Sequence, residues 1–153
     1  IRKDFQFSKS KDFYMVGAMG HAAMVSLGLS IQTKRKIICL DGDGSFLMHM
    51  GSLLISSNYG GNNFIYVILN NECHESVGKQ PTSINKMNLN LFSKSIGFKN
   101  FFLIKELSKI DQTLKKLINS NGPSFLEVKI KNGSLENLNR IKDLLEIKKN
   151  IMS

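Results

Sequence analysis

Two apolar runs, each closed by a short polar cluster, constrain this chain more than any other feature. Lys36-Ile37-Ile38-Cys39-Leu40-Asp41 stops at Gly42-Asp43-Gly44, and Phe64-Ile65-Tyr66-Val67-Ile68-Leu69 stops at Asn70-Asn71. Apolar runs of this length bounded by Gly and Asn read as buried strands ended by turns. The spacer between Gly44 and Asn70 holds one helical stretch, Ser45 to Ser57, with Phe46, Met50, Leu53 and Leu54 on one face. That is a βαβ unit, which implies a parallel sheet.

The rest of the chain continues the alternation. Gly20 to Ile31 has the small residues Ala22, Ala23, Ser26, Gly28 and Ser30, suited to a helix packed closely on a sheet or a second helix. A polar loop runs from Glu72 to about Ser83, and Leu89 to Ile96 reads as a helix stopped by Gly97. Phe101 to Ile104 is a third strand. Glu106 to Asn119 is an amphipathic helix turning Leu107, Ile110, Leu114, Leu117 and Ile118 inward, and Ser124 to Ile130 is a fourth strand. The expected fold is α/β, a parallel sheet with helices on both faces, over residues 1–133. Residues 134–153 form an appended tail, with a polar surface helix expected as far as Lys149.

Composition excludes several classes. A 153-residue chain with 42% hydrophobic and 22% charged residues is a globular domain. No apolar run approaches the roughly 20 residues of a membrane span, and the start lacks a secretory segment. The net charge of +9 is spread over short clusters such as Lys34-Arg35-Lys36 and Lys148-Lys149 without interleaved aromatics, so nucleic acid is not the expected partner. Cys39 and Cys73 have neither metal-ligand nor disulfide spacing; a reduced thiol at Cys39 suits a cytoplasmic protein.

Ligands of parallel sheets sit at the carboxyl ends of the strands. Both polar clusters fall there, and a βαβ unit brings them together. Asp43 offers a charge, an Asn offers a neutral carbonyl, and Gly42 and Gly44 permit the turn and a close backbone approach to phosphate. The helix starting near Ser45 aims its positive end at the same place. This donor set suits Mg²⁺ shared with a diphosphate.

Gly-Asp-Gly, a spacer of this size and Asn-Asn together resemble the motif of thiamine-diphosphate enzymes. The resemblance implies that Asp43, the side chain of Asn71 and the backbone carbonyl of Cys73 ligate Mg²⁺. It also implies cofactor contacts from Gly42, Gly44 and Ser45. Val16-Gly17-Ala18-Met19-Gly20-His21-Ala22 resembles the segment that grips the aminopyrimidine. Met19 then takes the place of the residue wedged between the cofactor rings, and the Gly17 carbonyl receives the 4′-amino group. Ala18 and Gly20 complete the segment, while His21 either faces the diphosphate or caps its helix.

Asp41 to Gly51 and Asn70 to Thr82, including His74-Glu75-Ser76-Val77-Gly78-Lys79-Gln80-Pro81-Thr82, narrow the resemblance to the phosphonopyruvate decarboxylases. Sulfopyruvate decarboxylases, the alternative, have a Tyr-Gly-Ser-Thr-like sequence in place of His74 to Val77. The implied reaction is loss of CO₂ from a 2-oxo acid bearing a phosphonate, giving phosphonoacetaldehyde for phosphonate biosynthesis. His74 and Glu75 are the candidates for proton handling, though His74 could equally pack over the cofactor or brace the loop. Gln80 and Thr82 either bind substrate or brace the loop, and His49 reads as a buried structural histidine.

The same resemblance implies a second, pyrimidine-binding domain carrying an activating glutamate, and nothing here matches it. The opening strand and Thr-Gly turn of such enzymes are also missing ahead of Lys11, and the chain does not begin with Met. The expectation is therefore a fragment or one subunit of a split enzyme, working as a homo- or hetero-oligomer. The remaining alternative is a cofactor-binding remnant without activity.

Overall fold

The computed structural model describes residues 12–133, together with Leu145, Lys148 and Lys149. The three are helical and exposed; the rest of the expected tail helix, like residues 1–11, lies outside the described residues. The chain divides into two compact units, one of residues 19–132 and one of the residues flanking it.

The larger unit holds a four-stranded parallel sheet in the order β1-β2-β6-β5, from β1 (Ile37–Gly42), β2 (Phe64–Asn70), β5 (Asn100–Ile104) and β6 (Ser124–Lys129). One face packs against α1 (Ala22–Gln32), α2 (Asp43–Met48), α3 (Ser52–Tyr59) and α4 (Leu89–Ser95), through Ala23, Phe46, Leu53 and Leu89. The other packs against α5 (Ile110–Asn119) through Ile110 and Leu117. Parallel strands need crossover helices, and these cover both faces as expected.

Phe125 is the centre of the larger core. Its ring meets Phe46, Tyr66, Phe98 and Phe101 at centroid separations between 5.3 and 6.5 Å. β2, fully flanked by β1 and β6, is buried almost throughout, as its unbroken apolar run requires.

Several expectations are corrected. β1 is an edge strand, not a fully buried one: Ile38 and Leu40 are half exposed while Cys39 and Asp41 point inward. The single helix expected over Ser45 to Ser57 is two, α2 and α3, separated at His49–Gly51, so Leu54 turns to solvent. On α5 only Leu117 is buried; Leu114 and Ile118 are exposed, and Leu107 precedes the helix at 86% exposure. Ala23 and Ser30 pack closely on α1, but Gly28 meets nothing. The loop expected over Glu72 to Ser83 contains a short antiparallel pair, β3 (Cys73–His74) and β4 (Gln80–Pro81). No helix among the described residues is long and apolar enough to cross a membrane.

Two outcomes follow from this packing. Phe125→Ala empties the aromatic cluster and is expected to cost about 3–5 kcal/mol in denaturant unfolding. Burial pushes the Cys39 thiol up to about 12, so it stays protonated and shielded at pH 8. Iodoacetamide at that pH should label half-buried Cys73 first, as read by peptide mass mapping.

Candidate functional site

β1 and β2 run side by side with Gly42 opposite Leu69, so their carboxyl ends deliver Asp43 and Asn71 to one place. There a cavity of about 250 Å³ is lined by Met19, Asp43, Asn71, Cys73, His74 and Glu75, with Gly42, Gly44 and Ser45 in its wall. The sequence candidates from Met19 onward thus converge, apart from Gly20 and His21, which adjoin Met19 in sequence. Gly17 and Ala18 belong to the flanking unit; both have left-handed φ, +75° and +47°.

Asp43 opens α2 and is 2% exposed. Its Oδ2 accepts a 2.6 Å hydrogen bond from the buried Thr82 hydroxyl. Gln80, by contrast, is exposed. Among the described residues no cationic side chain pairs with Asp43. A carboxylate taken out of water calls for a positive partner, and an ionised carboxylate has about four lone-pair sites, of which Thr82 uses one.

Asn70 and Asn71 look in different directions. Asn70 is 1% exposed and structural: its Nδ2 donates to Glu127 Oε1 at 2.8 Å and its Oδ1 accepts from the Glu72 amide at 3.1 Å. Glu127 and Glu72 are both bridged by Lys129, at 3.2 and 2.9 Å. Burial lowers the Lys129 pKa, but the bonds to these carboxylates outweigh it and hold the ammonium above its usual range. Asn71 faces the cavity; its Oδ1 accepts from the Cys73 amide at 3.2 Å and its Nδ2 donates to Glu75 Oε2 at 3.0 Å. Glu75 thereby orients the Asn71 amide.

The loop that follows is bent through left-handed backbone at Glu72, Gly78, Lys79 and Ser83. Non-glycine residues held there cost of order 1–3 kcal/mol each, a cost met only where neighbours over-determine the conformation. Here the β3–β4 pair and Thr82 do so.

Neither glycine of the motif has positive φ. A Cβ on Gly42 would enter open space, whereas one on Gly44 would stand 2.5 Å from His74 Nδ1. Gly44 is therefore the seat of the His74 ring. One histidine expectation fails: His49 is exposed rather than buried, its ring 4.1 Å from that of His21. His21 makes no side-chain cap bond, which removes one of its two expected roles. Asp41, which the sequence does not single out, is buried and accepts from Tyr66 OH at 2.8 Å and from Ser45. Burial pushes its pKa up despite those bonds. A wider depression of about 590 Å³ along the ends of β5 and β6 contains none of the candidates.

The family profile described as thiamine pyrophosphate enzyme, C-terminal TPP binding domain, matches residues 2–128. The chain belongs to this family. This TPP-binding domain is 34% identical over 134 residues to a phosphonopyruvate decarboxylase of Streptomyces viridochromogenes, covering 88% of the chain and 34% of the relative. It is 32% identical over 126 residues to the sulfopyruvate decarboxylase subunit beta of Methanothermobacter thermautotrophicus, covering 82% and 65%. The domain thus spans about a third of the length of the phosphonopyruvate decarboxylases it matches. Its fold is like that of a protein described as a thiamin diphosphate-dependent enzyme from Mycobacterium smegmatis: TM-score 0.63, 18% identity, 76% of this chain and 23% of that one.

Gly44→Ala is expected to displace the His74 ring and lower stability by about 1–3 kcal/mol. In a double-mutant cycle with His74→Ala, most of that loss should return.

Proposed function

We propose that this domain holds Mg²⁺ and the diphosphate of thiamine diphosphate, and that with a pyrimidine-binding domain it decarboxylates phosphonopyruvate. The observation that carries the reading is Asp43: a carboxylate buried at a strand end, without a cation among the described residues, beside Asn71 and Cys73. The donor set fits magnesium. The protein's share, as the resemblance implies it, is one carboxylate, one amide and one backbone carbonyl, from Asp43, Asn71 and Cys73. Magnesium, which binds through one or two carboxylates and completes its shell with phosphate and water, uses such a share. The open space above Gly42 leaves room for that phosphate.

In this reading Thr82 fixes the rotamer of Asp43, and Glu75 turns the Asn71 carbonyl toward the metal. Met19 supplies the apolar wall of the cavity. His74, seated on Gly44, handles the proton that replaces CO₂. Bound thiamine diphosphate supplies the electron sink for the carbon–carbon bond that breaks. The cavity is smaller than the roughly 300–1,000 Å³ of pockets that enclose a ligand, which supports a site completed by a second domain. Homo- and hetero-oligomers both meet that need.

Phosphonopyruvate is preferred because His74 to Thr82 resembles the loop of its decarboxylases. A second reading, sulfopyruvate decarboxylase of the beta-subunit type, draws support from relatives of that name at 30–35% identity. It also fits a two-chain enzyme.

Asp43→Ala should abolish Mg²⁺-dependent binding of thiamine diphosphate in calorimetry, and unchanged binding would sink the assignment. Thr82→Val should weaken Mg²⁺ affinity by about 10–100-fold, the usual cost of losing a ligand's hydrogen-bonded support. The chain alone should not release CO₂. With a pyrimidine-binding partner, turnover of phosphonopyruvate should exceed that of sulfopyruvate and pyruvate; the reverse order would establish the second reading.

A further inference from the structure

Met19 reaches the cavity from a single tight turn, and that turn is held by groups with no role above. The Gly20 amide donates to Ser45 Oγ at 2.9 Å. Ser45 hydrogen-bonds in turn to the Asp41 carboxylate, which also receives Tyr66 OH at 2.8 Å and the Gly42 amide at 3.0 Å. Asp41 is 8% exposed, so this polar spine is anchored inside the sheet. The second hold is steric. A Cβ on Gly20 would stand 2.8 Å from His49 Cδ2 and 3.0 Å from His49 Cβ, and the same imidazole lies against His21. Gly20 has φ +91°, so only glycine fits both the backbone and the space. One turn is therefore gripped from two sides by residues of β1, α2 and the break that follows α2.

We propose that His49 is a positioning residue: with the Asp41–Ser45 spine it clasps Gly20, so that Met19 is presented ready-ordered to the ring portion of thiamine diphosphate. The inference rests on the cofactor reading above. Without the imidazole, Gly20 loses its steric stop and Met19 must be ordered at the moment of binding, which weakens affinity. The diphosphate end should not share that loss, because Asp43 and Asn71 are held by their own strands and by Thr82 and Glu75. This separation of ring and diphosphate ends marks a clasp apart from a general structural role.

The test uses the full chain, with Mg²⁺ and thiamine diphosphate in one titration and Mg²⁺ and inorganic pyrophosphate in another. The Met19 methyl is followed by NMR. His49→Ala and His49→Gln should weaken thiamine diphosphate about tenfold, shift the Met19 methyl and leave pyrophosphate within about twofold. His49→Phe, which keeps a ring over Gly20, should recover most of the affinity. Equal weakening of both ligands, or unchanged binding of both, would overturn the clasp while leaving the cofactor reading intact. A wild-type chain that binds neither ligand would overturn the cofactor reading and the clasp together.

Discussion

The structure turns on the burial of Asp43, a carboxylate held at the end of an edge strand with one neutral hydroxyl as its side-chain hydrogen-bond partner among the described residues. Placing a charge out of water is costly unless something positive answers it. Around this point the chain arranges its other polar groups. Thr82 returns from 39 residues away to brace the carboxylate. Asn71 is tied to the Cys73 amide and to Glu75, so its side-chain amide is also fixed in place. The strained loop from Glu72 to Ser83 is the means by which Thr82 and Asn71 are brought to opposite ends of one short path.

A division of labour follows from strand geometry. Successive residues of a strand point to opposite faces, and Asn70 and Asn71, where β2 ends, are likewise put to different uses. Asn70 joins Glu127, Lys129 and Glu72 in a network that pins β6 and the loop start. Asn71 is left for the cavity. The same alternation on β1 sends Cys39 and Asp41 inward and Ile38 and Leu40 outward. Asp41 can therefore reach Tyr66 and Ser45 while Asp43, two residues on, lines the cavity.

Much of this was legible in the sequence because it depends on local pattern. Apolar runs closed by Gly-Asp-Gly and Asn-Asn gave the strands, their ends and the convergence of Asp43 with Asn71. What was not legible depends on side chains that meet across long separations. Thr82 beside Asp43, Ser45 beside Gly20 and His74 over Gly44 are such pairs, and no periodicity announces them. The helix break at His49–Gly51 escaped for a related reason. Phe46, Met50 and Leu53 keep a helical spacing through it, while His49 leaves the helix to pack on Gly20 and His21. Amphipathic spacing also overstated α5, since the sheet beneath it has room for Ile110 and Leu117 but not for Leu114 and Ile118.

Glycine serves this part of the fold in more than one way. Gly42 and Gly44 both have ordinary backbone angles, and what they offer is lack of bulk. At Gly42 the place of the missing side chain is open space; at Gly44 it is the imidazole of His74. Gly20 is the one that needs both properties, a left-handed φ and no Cβ, because His49 occupies the place a side chain would take. A substitution would thus meet open space at Gly42, the His74 ring at Gly44 and the His49 ring at Gly20. The three glycines serve three different purposes, a division that their spacing in the sequence does not express.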